Sequence, residues 1–193
     1  MKVLKKLVCI FLILIALILI LHYIGSLINK RTPTGGINES MYVEINETKQ
    51  WINIYGKNKN NPVLLYLHGG PGSSTSEIDY AFTRKWADIF TVVTWDQRNC
   101  GKSYNKSQNN ITLTKDMLME DGKEMTEFIK SYLNVDKITL LGHSWGSIYG
   151  ANLVLAYPDC YNLFIGCGQL VDIVGNEEAF KKEAIKWGKN DEE

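Results

Sequence analysis

Ser144 stands at the centre of Gly142-His143-Ser144-Trp145-Gly146, and its surroundings are those of a reactive hydroxyl. A short apolar run rich in β-branched residues, Ile138 to Leu141, precedes it. An apolar run at helical spacing follows, with Ile148, Ala151, Asn152, Leu155 and Ala156 near one face. Strand, tight turn and helix together are the context in which Gly-x-Ser-x-Gly becomes a nucleophile elbow. The elbow strains the serine backbone so that the hydroxyl projects from the strand end. The residues two before and two after then come too close for side chains, which Gly142 and Gly146 satisfy. The same pattern also suits a strand-to-helix turn without chemistry.

A second loop strengthens the catalytic reading. His68-Gly69-Gly70-Pro71-Gly72 follows the apolar run Val63 to Leu67. A loop without side chains lets backbone N–H groups approach a substrate carbonyl oxygen. Donors from Gly70 and from Trp145, just after the serine, would make an oxyanion hole.

These residues need a frame, and the chain has the length of one domain with an appendage: 193 residues. Lys plus Arg and Asp plus Glu are both 21, giving a formal net charge of zero and no basic excess to suggest nucleic acid. Leu7 to Leu21 carries no charged or polar side chain apart from Cys9, and the apolar character continues to Ile28. Residues 1–30 therefore read as a single-pass membrane anchor, with the bilayer crossed through residues 7–28. Lys2, Lys5 and Lys6 precede the run and Lys30 and Arg31 follow it, a balance that mildly favours an extracytoplasmic domain. A cleaved signal peptide is the rival reading, and the lack of a small-x-small site disfavours it. Cys9, Cys100, Cys160 and Cys167 show no metal-ligand spacing. They read as small apolar residues in or near the core.

Residues 31–40 read as a linker. "MYVEIN" and "QWINIYG" suggest an antiparallel pair, and continuous apolar runs at Val63–Leu67 and around "FTVVTWD" suggest strands covered on both faces. Tyr80, Phe82, Trp86 and Phe90 are expected to face inward from a helix. Leu118, Met125, Phe128, Ile129 and Tyr132 recur at helical spacing, with Thr114 as N-cap and Asp116 in the first turn. Strands alternating with helices indicate an α/β sheet, and the glycine loops should meet beyond the strand ends.

"HGGPG", "WDQRNCGKS" and "GHSWGS", in that order, resemble the α/β-hydrolase superfamily, and specifically its prolyl iminopeptidase-like branch. Asn99 stands where that family usually has glycine. The resemblance implies a mostly parallel sheet of eight strands, of which about six are legible here. Residues 41–170 would form the core and 171–193 the start of a helical cap. It implies Ser144 as nucleophile and Gly70 and Trp145 as oxyanion-hole donors, with Gly69, Gly142 and Gly146 shaping the loops. It also implies aminopeptidase-type chemistry on a peptide or small acyl substrate, without metal or cofactor. Esterase or lipase chemistry is the alternative. Asp96 and Arg98 would brace their loop through an ion pair or hydrogen bonds. In that family the acid follows the serine, which leaves Asp96 only remotely eligible as the triad acid.

Serine needs an adjacent base, and in this fold the chain order is Ser, then acid, then His. The histidines are His22, His68 and His143, and none follows Ser144. Triad acid and histidine are thus absent from the expected positions. The sequence is expected to be an inactive, truncated hydrolase. Other readings are an enzyme completed by a second chain that supplies strands and histidine, a non-catalytic membrane-anchored binding module, or an enzyme with an unorthodox base such as lysine.

Overall fold

The computed structural model describes residues 2–190. One sheet runs in the order β1-β2-β4-β3-β5-β6, formed by β1 (Ile37–Ile45), β2 (Thr48–Gly56), β3 (Val63–Leu67), β4 (Thr91–Asp96), β5 (Ile138–His143) and β6 (Tyr161–Cys167). The helices are α1 (Lys2–Asn29), α2 (Tyr80–Trp86), α3 (Lys115–Leu133), α4 (Trp145–Ala156) and α5 (Ile173–Asn190). β1 and β2 are antiparallel, β2 runs antiparallel to β4, and β4, β3, β5 and β6 are mutually parallel. The architecture is the mixed, mostly parallel six-stranded sheet expected from the alternation of elements.

β3 and β4 are buried at every position, which is why their sequences are continuous apolar runs rather than alternating ones. Leu65, Leu67, Val93, Trp95, Ile138 and Leu140 join Met125, Ile129, Tyr149 and Leu153 of α3 and α4 in the main core. On the opposite face, Tyr66 packs against Phe82 and Trp86 of α2, with ring centroids 5.2 and 6.2 Å away. That face continues by register through Leu141 and His143 to Ile165 and Cys167. His143 and Cys167 are exposed there, and Leu163 is 52% exposed. β1 and β6 are the edge strands, and the outer edge of β6 is unpaired among the described residues.

Thr114 caps α3 as expected, its Oγ1 accepting from Met117 N at 3.2 Å, and Asn134 at φ 53° closes the helix. Three expectations need correction. α4 packs through Gly146, Tyr149, Gly150 and Leu153, not through the Ile148–Leu155 stripe, and Leu155 is 82% exposed. The helix is apolar nearly all round, so periodicity does not choose its face. Close approach chooses it, since a Cβ at Gly150 would strike Phe164 and Leu67. Tyr80 is exposed, while Phe82 and Trp86 are half-buried and Thr83 takes the buried position. Cys167 is exposed at the tip of β6, whereas Cys100 is buried.

α1 carries no buried residue and is long and apolar enough to cross a membrane. Its end is tied to the domain: Asn38 Nδ2 donates to the carbonyls of Asn29 (2.8 Å) and Arg31 (3.0 Å), and Arg84 Nη2 donates to Asn29 O (2.9 Å). These bonds satisfy carbonyls that a helix end leaves unpaired. α5 exposes Phe180 and Trp187.

Candidate active site

The apolar pairing of β5 between β3 and β6 brings its last residues to the end of the sheet, where the chain must turn sharply into α4. Ser144 makes that turn at φ 52°, ψ −119°, a conformation costly for any residue with a side chain. A Cβ on Gly142 would drive into the Gly146 carbonyl, and one on Gly146 into the carbonyls of Leu67 and His68. Both glycines of the motif are therefore demanded by contact, Gly142 by the turn itself and Gly146 by the end of β3. The turn is held from below as well. Ser144 N donates to Cys167 O at 2.9 Å, and the buried Ser147 hydroxyl donates to Ser144 O at 2.5 Å while accepting from Leu170 N at 3.1 Å. Ser147 closes the "GHSWGS" motif, but the sequence assigns its hydroxyl no role.

The glycine loop after β3 lies directly on this turn. A Cβ on Gly69 would sit 3.2 Å from Ser144 Cβ, a crowded contact that glycine avoids. Gly70 adopts φ +119° and its bond to Pro71 is cis. The loop is closed by Ser73 N to Gly69 O (3.2 Å) and Ser74 N to Gly72 O (3.0 Å). The N–H groups of Gly70 and Trp145 donate to no acceptor among the described residues. Trp145 opens α4, so its N–H also carries the positive end of the helix dipole.

The loop after β4 packs against the glycine loop after β3. Asp96 accepts from Ser76 Oγ (2.7 Å) and Lys102 N (2.9 Å), and its carbonyl accepts from Ser103 Oγ. Arg98 does not pair with Asp96. It makes a bidentate pair with Asp121 of α3, both contacts at 2.6 Å, with side chains 6% and 0% exposed. Asp121 also accepts from Asn46 Nδ2 (2.8 Å) and Gln50 Nε2 (3.0 Å), and its bond to Arg98 raises the guanidinium pKa further. Asp96 and Arg98 thus brace the loop through separate partners. Asp121 has no mark in the sequence, where it is one of several charges on an amphipathic helix.

His68 is fully buried beneath the loops. Its Nδ1–H donates to Gly69 O (2.9 Å), and Nε2 accepts from Gln97 N (3.4 Å) with Cys100 Sγ at 3.3 Å. Burial pushes the imidazole pKa down and the Cys100 thiol up to about 12. His68 is thus a neutral strut between two loops rather than a base for Ser144. His143 is exposed and makes no hydrogen bond to the serine among the described residues.

An apolar groove of about 380 Å³ opens beside the turn, lined by Pro71, Leu118, Met119, Trp145, Ile148 and Tyr149. Two buried donors, Trp145 Nε1 and Gln97 Nε2, lack partners among the described residues. Leaving such a donor unpaired costs about 1–3 kcal/mol. The site holds a positioned hydroxyl, two N–H groups without acceptors among the described residues, and an apolar wall.

Comparison with known proteins agrees with this geometry. The family profile described as alpha/beta hydrolase fold matches residues 62–192. "Probable aminopeptidase YbaC" of Bacillus subtilis is 36% identical over 132 residues, covering 67% of this chain and 41% of the relative. The proline iminopeptidase of Neisseria gonorrhoeae is 29% identical over 123 residues, covering 62% and 36%. The crystal structure of a proline iminopeptidase-related protein from Thermus thermophilus superposes with a TM-score of 0.56 at 27% identity, covering 67% of this chain and 44% of that one. The chain spans about two fifths of the length of these relatives.

Proposed function

Because the chain belongs to the α/β-hydrolase fold family and falls in its prolyl iminopeptidase-like branch, we propose that it carries the nucleophile half of a membrane-anchored serine hydrolase of aminopeptidase type. The observation that carries the reading is the strained Ser144 turn with the Gly69–Gly70 loop packed on it. Ser144 Oγ would attack the substrate carbonyl, and the developing oxyanion would accept from the N–H groups of Gly70 and Trp145. The groove between Pro71 and Trp145 would take the apolar part of a peptide or small acyl substrate. Asp96, Arg98 and His68 hold the loops that shape this hole.

The acid and base come from outside the residues described. With His68 buried and occupied and no histidine after Ser144, the lone chain is proposed to be inactive. Further strands along the free edge of β6, from this polypeptide or from a second chain, would supply acid and histidine. The apolar α1 would hold the domain on the extracytoplasmic side through residues 7–28.

The test is fluorophosphonate labelling, which needs an activated serine. The chain purified alone in detergent should stay unlabelled. In membranes of the source organism, a labelled species recognised by an antibody to residues 37–63 should appear and should vanish in Ser144→Ala. A band at 21.9 kDa would point to a partner chain, and a larger one to acid and base on the same polypeptide. No label in any setting would sink the enzymatic reading. It would favour a non-catalytic binding module, which the missing base also supports.

A further inference from the structure

The junction between α1 and the domain is built rather than slack. Gly25, Ser26 and Asn29 are the partly buried residues of the last turns of α1, and with His22 they form one small, polar stripe. Tyr23, Leu27 and Ile28 point away and are exposed. The stripe faces an open cleft of about 690 Å³, whose other walls include Ser40 of β1, Tyr80 of α2 and Lys102 from the loop after β4. Asn38 and Arg84 clamp the helix end from the domain side, as described above.

Depth then follows from length. A helix needs about 20 residues to cross the hydrocarbon core. Counted from Val3 to Leu7, such a span ends between His22 and Ser26. The remaining turns rise about 1.5 Å per residue, which keeps them and the cleft within the headgroup layer. Lys30, Arg84 and Lys102 line this junction against the carboxylates of Glu77 and Asp79. Lys102 is shared between Glu77, at 3.4 Å, and the face of Trp51, 4.8 Å from its centroid. Asp79 is turned inward, bonded to Thr94 and Asn53. Glu77 is itself exposed, so the junction carries three cations against two carboxylates, one positive charge in excess, with Lys30 free of a carboxylate partner among the described residues.

We propose that the end of α1 and the domain face against it form a docking surface for the headgroups of anionic phospholipids. The domain then sits on the membrane with its α2 side down, and the cleft between His22, Lys30, Ser40 and Lys102 takes lipid phosphate. The proposal rests on α1 spanning the bilayer and is independent of whether Ser144 reacts.

The full chain, with Cys9, Cys160 and Cys167 changed to Ser, would be placed in phosphatidylcholine vesicles with and without phosphatidylglycerol. A single fluorophore would be attached at Ser40→Cys, in the cleft, or at Ser131→Cys, exposed on α3 across the sheet. A phospholipid carrying a nitroxide on its headgroup reads proximity. Quenching at position 40 is expected to exceed that at 131 by about fivefold or more in anionic vesicles, the bias that one basic residue confers at such a surface. Asn38→Ala with Arg84→Ala should shrink the difference. Carbonate-resistant chains with equal quenching at both positions would overturn the docking surface alone. Chains released by carbonate would overturn the span as well. A difference of the same size without phosphatidylglycerol would overturn the preference for anionic lipid.

Discussion

The two faces of the sheet are finished to different degrees. On the α3–α4 side, Leu65, Trp95, Ile138 and Leu140 are buried against two helices. On the α2 side the cover stops at Tyr66, and Leu163, His143 and Cys167 are exposed at the β6 end. The site straddles this divide. Most of what shapes the Ser144 turn belongs to the finished half, namely the end of β3, the loop after it and the start of α4, while the Cys167 carbonyl reaches it from the unfinished end. Among the described residues no histidine is placed to activate the serine. Shaping the turn and activating its hydroxyl are separable tasks, and the described residues carry the parts for the first.

The comparison can be tested by energy. Arg98→Ala should give the largest loss, about 3–5 kcal/mol, because it strands the buried Asp121 carboxylate on the finished side. Denaturant melts of the full chain in detergent measure it. Leu140→Ala should cost about 2–5 kcal/mol, whereas Leu163→Ala should cost under about 0.5 kcal/mol. Equal losses at the two leucines would mean that the β6 end is covered in solution.

Acid should weaken the finished half through His68. Burial lowers its pKa in the fold, so below the ordinary value of 6.5 the unfolded chain binds a proton that the folded chain does not. Stability therefore falls as pH drops below that value, by at most about 1.4 kcal/mol per pH unit until the folded value is reached. His68→Gln should flatten the slope, and a wild-type profile already flat between neutral and mildly acid pH would contradict the buried strut. A small effect of opposite sign is expected at the serine itself. Ser144→Gly relieves the positive φ and should raise stability by about 1 kcal/mol or less after the added freedom of the unfolded chain. A loss instead would mean that the turn is not strained.

Much of this is legible in residue types. The elbow, the continuous strands and the Thr114 cap follow from local chemistry: glycines where backbones touch, unbroken apolar runs where both faces are covered, a hydroxyl where N–H groups are free. What stays hidden depends on distance along the chain. Asp121 meets Arg98 across 23 residues, and Asn38 reaches back to the end of α1, with no local signature for either. The packing face of α4 escapes the sequence for a related reason. An all-apolar helix gives periodicity nothing to sort, and Gly150 matters only once Phe164 is opposite it.

One bond carries a consequence for timing. The amide of Ser144 is held by the carbonyl of Cys167, the last residue of the free edge strand. Any strand added along β6 would steady that carbonyl, and through it the reactive turn, within a single hydrogen bond. Assembly and alignment would then be one event.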